Sequence, residues 1–131
     1  IQPDPKHETA CYGYICTHYH CNMSRINQLL QFLQDNPKDS FIQYALALEY
    51  IKIGEPDTGR QYFEQLISND PEYVGTYYHL AKLYVQLNEK SLAESCYENG
   101  IAIAKKLNDT HSLAELQNAY TNLKMGISDD D

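Results

Sequence analysis

The chain has 131 residues and carries 18 acidic against 10 basic side chains, a formal net charge of −8. That length fits one domain able to bury about two thirds of the surface its unfolded form exposes. The acidic balance excludes nucleic acid as the expected main partner, because binding a polyanion rests on a basic footprint. No apolar run is long enough to span a bilayer, and the N-terminus lacks the order of a secretory signal. A cytoplasmic protein with no membrane partner is therefore expected.

Residues 1–22 show no helical periodicity and carry Pro3 and Pro5, so they read as an irregular leader. Cys11, Cys16, His18, His20 and Cys21 crowd into this leader and offer thiolate and imidazole ligands for zinc. Their spacing is poor for a metal knuckle, which needs a second ligand pair a dozen or more residues later. A site held by Cys11, Cys16, His18 and Cys21 stays as an alternative; no metal or other cofactor is the primary expectation. Met23-Ser24 stands where the helical pattern begins, so Met23 reads as an initiator.

A helical domain is expected over 23–124. Ser24 is suited to cap a first helix with Ile26, Leu29, Leu30 and Leu33 on one face, ending at Asn36-Pro37. Asp39 or Ser40 starts a second helix that runs to about Ile53, where Gly54 stops it. A third helix spans about Asp57 to Ser68, and a fourth about Glu72 to Leu87. Asn88 stands where Gly54 stood and tolerates the left-handed conformation that ends helices. The fifth helix runs from Ser91 through Leu107, with Gly100 implying a close helix contact. Asp109 or Thr110 caps a last helix carrying Leu113, Leu116, Ala119, Tyr120 and Leu123, polar on its other face. Residues 125–131 form an acidic tail.

The chain also repeats itself at a period of 34. Leu46-Ala47 maps to Leu80-Ala81, Tyr50 to Tyr84, Tyr44 to Tyr78, Gly59 to Ala93 and Phe63 to Tyr97. Pro37 and Pro71 are separated by the same interval. Fixed self-similarity in this range signals stacked helical units. Tyr77, Leu80, Ala81 and Tyr84 recur at i, i+3, i+4, i+7, so they share one helix stripe. Ala47 and Ala81 let a second helix approach, and Phe63 and Tyr97 fill the space around the crossing. Moving back one period from Phe63 reaches Leu29, so the first helix matches the second half of a unit.

These residues resemble the tetratricopeptide repeat family, whose unit reads W-x2-L-G-x2-Y, A-x3-F, P. The first copy here is Gln43-x2-Leu46-Ala47-x2-Tyr50, Gly59-x3-Phe63, Pro71. The second is Tyr77-x2-Leu80-Ala81-x2-Tyr84, Ala93-x3-Tyr97, with Lys105 in place of the proline. The resemblance implies an all-α superhelix, a solenoid of about six helices, acting as an interaction scaffold with no catalytic residues.

In such a fold the first helices line a concave surface. Residues off the packing stripe then face a groove: Phe41, Tyr44 and Leu48, followed by Tyr78, Lys82 and Gln86. An aromatic groove with one lysine suits an extended peptide or a partner helix. Some family members clamp a C-terminal carboxylate with lysine, arginine and asparagine; only Lys82 has that chemistry here. Exposed ends of so short an array also allow self-association into a homo-oligomer. An enzyme is not expected, because His79, His111 and Glu49 have no partner at dyad spacing and no phosphate loop or nucleophile elbow is present. Cys96 reads as a small hydrophobe on an apolar face.

Overall fold

The computed structural model describes residues 16–127, with side chains from Ser24 onward. All regular elements there are helices: α1 (Cys16–Asp35), α2 (Ser40–Lys52), α3 (Pro56–Asn69), α4 (Gly75–Gln86), α5 (Lys90–Lys106) and α6 (Thr110–Met125). No helix among the described residues is long and apolar enough to cross a membrane. The chain divides into two compact units between Gly59 and Arg60.

Two starts differ from expectation. The backbone of α1 is helical from Cys16, so residues 16–22 are not irregular there and Ser24 lies inside the helix instead of capping it. The physical reason is local: no glycine or proline interrupts the chain between Gly13 and Pro37. Helix α4 begins at Gly75, later than Glu72. Val74 at its N-cap position makes no side-chain capping bond, and tight turns precede it, with Tyr73 N–H on Asp70 O and Thr76 N–H on Tyr73 O.

The stops after α2, α4 and α5 follow one rule. After α2, Gly54 has φ +85°; after α4, Asn88 has φ +62°; after α5, Asn108 has φ +56°. At each stop a pair of backbone bonds closes the end, as in Glu55 N–H to Tyr50 O at 2.9 Å and Glu89 N–H to Tyr84 O at 2.8 Å. This paired closure satisfies carbonyls that a helix end leaves open. Two of the starts are equally explicit. Asp39 accepts Ile42 N–H and Asp109 accepts Ser112 N–H, while Pro56 opens α3 where its missing N–H costs nothing.

In the first unit, Ile42, Ala45, Leu46 and Ala47 of α2 are buried, and Ile26 of α1 is almost wholly covered. A side chain at Gly59 would begin 2.6 Å from Ile51 Cγ1 and 3.0 Å from Ala47 O. Its bare backbone lets the start of α3 sit against α2. The second unit is built on Phe63, Leu66, Tyr77, Leu80, Ala81, Tyr97, Ala104 and Leu116, all essentially closed to solvent. There α5 crosses α4 at Gly100, where an added Cβ would stand 2.6 Å from Tyr77 Cβ and 3.2 Å from a methyl of Leu116.

Gly100→Val tests that crossing. Its β-carbon must push against an atom fixed to the α4 backbone, so overpacking, on the order of 1–3 kcal/mol, outweighs what the helix gains by losing a glycine. The midpoint of thermal unfolding should fall with helicity retained. An unchanged midpoint would place Gly100 away from α4.

Candidate functional site

Each repeat's first helix has a closed side and an open side. On α2, Phe41, Tyr44 and Leu48 share a stripe at i, i+3, i+7; Phe41 is 62% exposed and the other two are half-buried. On α4, Tyr78 and Lys82 are half-buried and Gln86 is exposed. The closed side of α4 holds Tyr77, Leu80, Ala81 and Tyr84. The six candidate residues therefore lie off the core stripes, three in each unit.

Within the second unit Tyr78 and Lys82 are in contact. The Lys82 ammonium lies 5.4 Å from the centroid of the Tyr78 ring, within cation–π range. His79 was not among the candidates, yet it borders this pair. Its ring meets Tyr78 edge-on at 5.5 Å and stacks on Phe63 at 6.2 Å. Burial disfavours the imidazolium and Lys82 repels it, so the His79 pKa falls below its ordinary 6.5 despite the opposing pull of Glu115. The place of His79 beside Tyr78 was legible as adjacency; its stacking on α3 was not.

The signature position at the start of each repeat has a polar task. Gln43 Nε2 donates to Pro37 O at 2.9 Å, and Tyr77 O–H donates to Pro71 O at 2.6 Å. These are the same contact one period apart, so glutamine stands in for an aromatic by reaching the same carbonyl. Glu49 is buried on α2, with Oε1 2.9 Å from Arg25 Nε and 3.5 Å from Lys52 Nζ. That pairing ties α1 to α2, and no nucleophile accompanies it.

Two further polar groups near the core are engaged. Tyr84 O–H donates to Glu64 at 2.6 Å, and burial followed by that bond raises its pKa. Cys96 S–H donates to Tyr77 O at 3.4 Å, and burial pushes the thiol up to about 12. Both line a cleft of about 330 Å³ with Ile67, Leu80 and Ile103. With the hydroxyl and the thiol already committed, the cleft gathers no pair of reactive groups. Cys96 is the inert small hydrophobe its position implies.

The alternative zinc set lies outside what is described: Cys11 falls among the undescribed residues, as do the side chains of Cys16, His18 and Cys21. Among the described residues no three His, Cys, Asp or Glu side chains gather as a metal site would require.

The sequence profile of the tetratricopeptide repeat matches residues 42–73 and 74–107. No curated protein matches the chain. Among solved structures, a tetratricopeptide repeat domain protein from Salinibacter ruber is 41% identical, with a TM-score of 0.63 over 66% of this chain and 96% of that one. The TPR2B domain of yeast Sti1, in complex with pHsp70, has a TM-score of 0.74 at 15% identity and covers 92% of this chain and 96% of its own. PcrH, in complex with the chaperone binding region of PopD, has a TM-score of 0.73 at 13% identity, with 95% of both chains covered. The last two likenesses establish the all-α fold.

The depressed His79 pKa has a pH consequence. An unfolded imidazole takes up a proton near pH 6.5, before the folded one does, so the stability tied to His79 is complete above 6.5 and lost as pH falls below it. Urea unfolding at about pH 7.5 and about pH 5.5 should show a larger loss in the parent than in His79→Gln. Equal losses would mean that the ring is open to water.

Proposed function

The chain belongs to the tetratricopeptide repeat family, and on that premise we propose that it is a protein-interaction scaffold. It binds a peptide or partner helix through the open sides of its first helices, using Phe41, Tyr44 and Leu48 on α2 and Tyr78, Lys82 and Gln86 on α4. The observation that carries this reading is the Tyr78–Lys82 pair: an aromatic ring and a cation in contact, left half-open on a helix whose opposite side is fully packed. The complexes of the Sti1 domain with pHsp70 and of PcrH with a region of PopD support a scaffold role, since both proteins share this fold and are held with a partner.

The chemistry narrows the partner. Tyrosine supplies a large, stiff contact area at low entropic cost and anchors interfaces well. Lys82 adds one cation, enough to orient a single acidic side chain but not to grip a terminal carboxylate from several sides. The expected ligand is an apolar or aromatic segment with one acid near its anchor.

The test begins with a pull-down and mass spectrometry from the native cell, followed by affinity measurement with the purified partner. Tyr44→Ala with Tyr78→Ala should weaken binding at least about tenfold, since buried aromatic anchors lose about 2 kcal/mol or more on truncation. Lys82→Glu should slow association, and added salt should shrink that effect. A double variant that keeps its helicity and binds normally would remove these helices from the site. One that unfolds would assign both tyrosines to the core.

A further inference from the structure

Counting in steps of 34, Leu29 of α1 corresponds to Phe63 and Tyr97, and Phe32 corresponds to Leu66 and Gly100. Phe63 and Leu66 are wholly buried and Tyr97 is 2% exposed. Gly100 is closed off by Tyr77, a residue of the first helix in its own repeat. In the second unit, then, the Gly100 position is covered by a helix. On α1 the same positions are open. Phe32 is 56% exposed, Leu29 is only half-buried, and no helix precedes α1 among the described residues.

The geometry points to a second copy of this chain as the occupant, docked α1 against α1. Arg25, Leu29 and Phe32 fall at i, i+4 and i+7 in one row along the helix, which Asn36 at i+11 continues just past its end, while Ile26 beside that row is the residue buried in the unit. Read in the opposite direction, this row is complementary to itself. An antiparallel second α1 places its Phe32 on Leu29, its Leu29 on Phe32 and its Asn36 opposite Arg25 at each end, with Asp35 flanking Asn36 within the reach of a long arginine side chain. That reciprocity is what a two-fold contact requires.

The charges select this occupant over an arbitrary apolar partner. Arg25 donates from Nε to Glu49, yet its side chain is still 61% exposed, so the outer guanidinium N–H groups face solvent. Asp35 is exposed in the last turn of α1, where the negative end of the helix dipole disfavours a carboxylate. An arginine from the other copy relieves that repulsion. This surface is separate from the open sides of α2 and α4, and its test does not depend on them.

The experiment is sedimentation equilibrium on the full chain. A single helix pair is a small interface, below about 1,200 Å² in total, so the loading series extends to about 1 mM. The expected result is a monomer–dimer equilibrium. Phe32→Asp should raise its dissociation constant at least tenfold, and so should Asp35→Arg, which sets like charges face to face. The Asp35→Arg effect should be larger at low salt. Both positions are exposed, so circular dichroism should stay unchanged; if Phe32→Asp loses helicity, Asp35→Arg alone decides. A monomer throughout the series overturns the inference and leaves the face to another segment or protein. A dimer indifferent to Asp35→Arg overturns it as well.

Discussion

Tyr77 and Gly100 occupy one place between them. The tyrosine β-carbon stands 2.6 Å from where a side chain at 100 would begin, so α4 and α5 touch backbone to side-chain root. At that separation the large residues on either side have no freedom to rearrange, and interiors packed this tightly respond to a single methyl. Much of the second unit follows from that contact. Cys96, one turn earlier on α5, reaches the Tyr77 carbonyl, and Leu116 of α6 closes over the same point. The first unit uses the same device at Gly59, which lies against Ala47 and Ile51 of α2.

Close crossing sets spacing within a repeat; the ends of the helices set its period. Gly54 and Asn88 adopt positive φ one period apart, and each hands the chain to a paired closure of the helix carbonyls. Between successive stops, the residue at the signature position reaches back six residues to a proline carbonyl, from Gln43 to Pro37 and from Tyr77 to Pro71. The turn is thereby bound to the helix that follows it. Glutamine and tyrosine share little in shape. They share a donor at the right distance, and that is the property the position selects.

The same division of labour separates core from surface on α4. Its closed side needs small and large residues in fixed order, because α5 packs there. Its open side is released from that order and carries Tyr78 with Lys82, a combination of modest value to stability. On α1 the balance is different. Phe32, 56% exposed, sits where later repeats bury a residue completely.

The repeat, its helix count and its core stripe were legible in the sequence because they are local or periodic. Leu46-Ala47 and Leu80-Ala81 recur at one interval, Gly54 and Asn88 are residues that tolerate left-handed backbone, and Asp39 and Asp109 are natural caps. Gly100 announced a close contact through its cost to helix propensity. What tertiary structure alone decided was which distant groups would meet. Glu49 is buried because Arg25 comes to it from another helix, a pairing that no local spacing encodes. His79 is set off from solvent by Phe63, and its pKa falls for that reason. The start of α1 at Cys16 departed from the cap that Ser24 offered, since a capping residue permits a helix to begin but does not oblige it to. Burial and partnership depend on the neighbour that arrives from elsewhere in the chain, and the period of a pattern names the face of a helix without naming what will cover it.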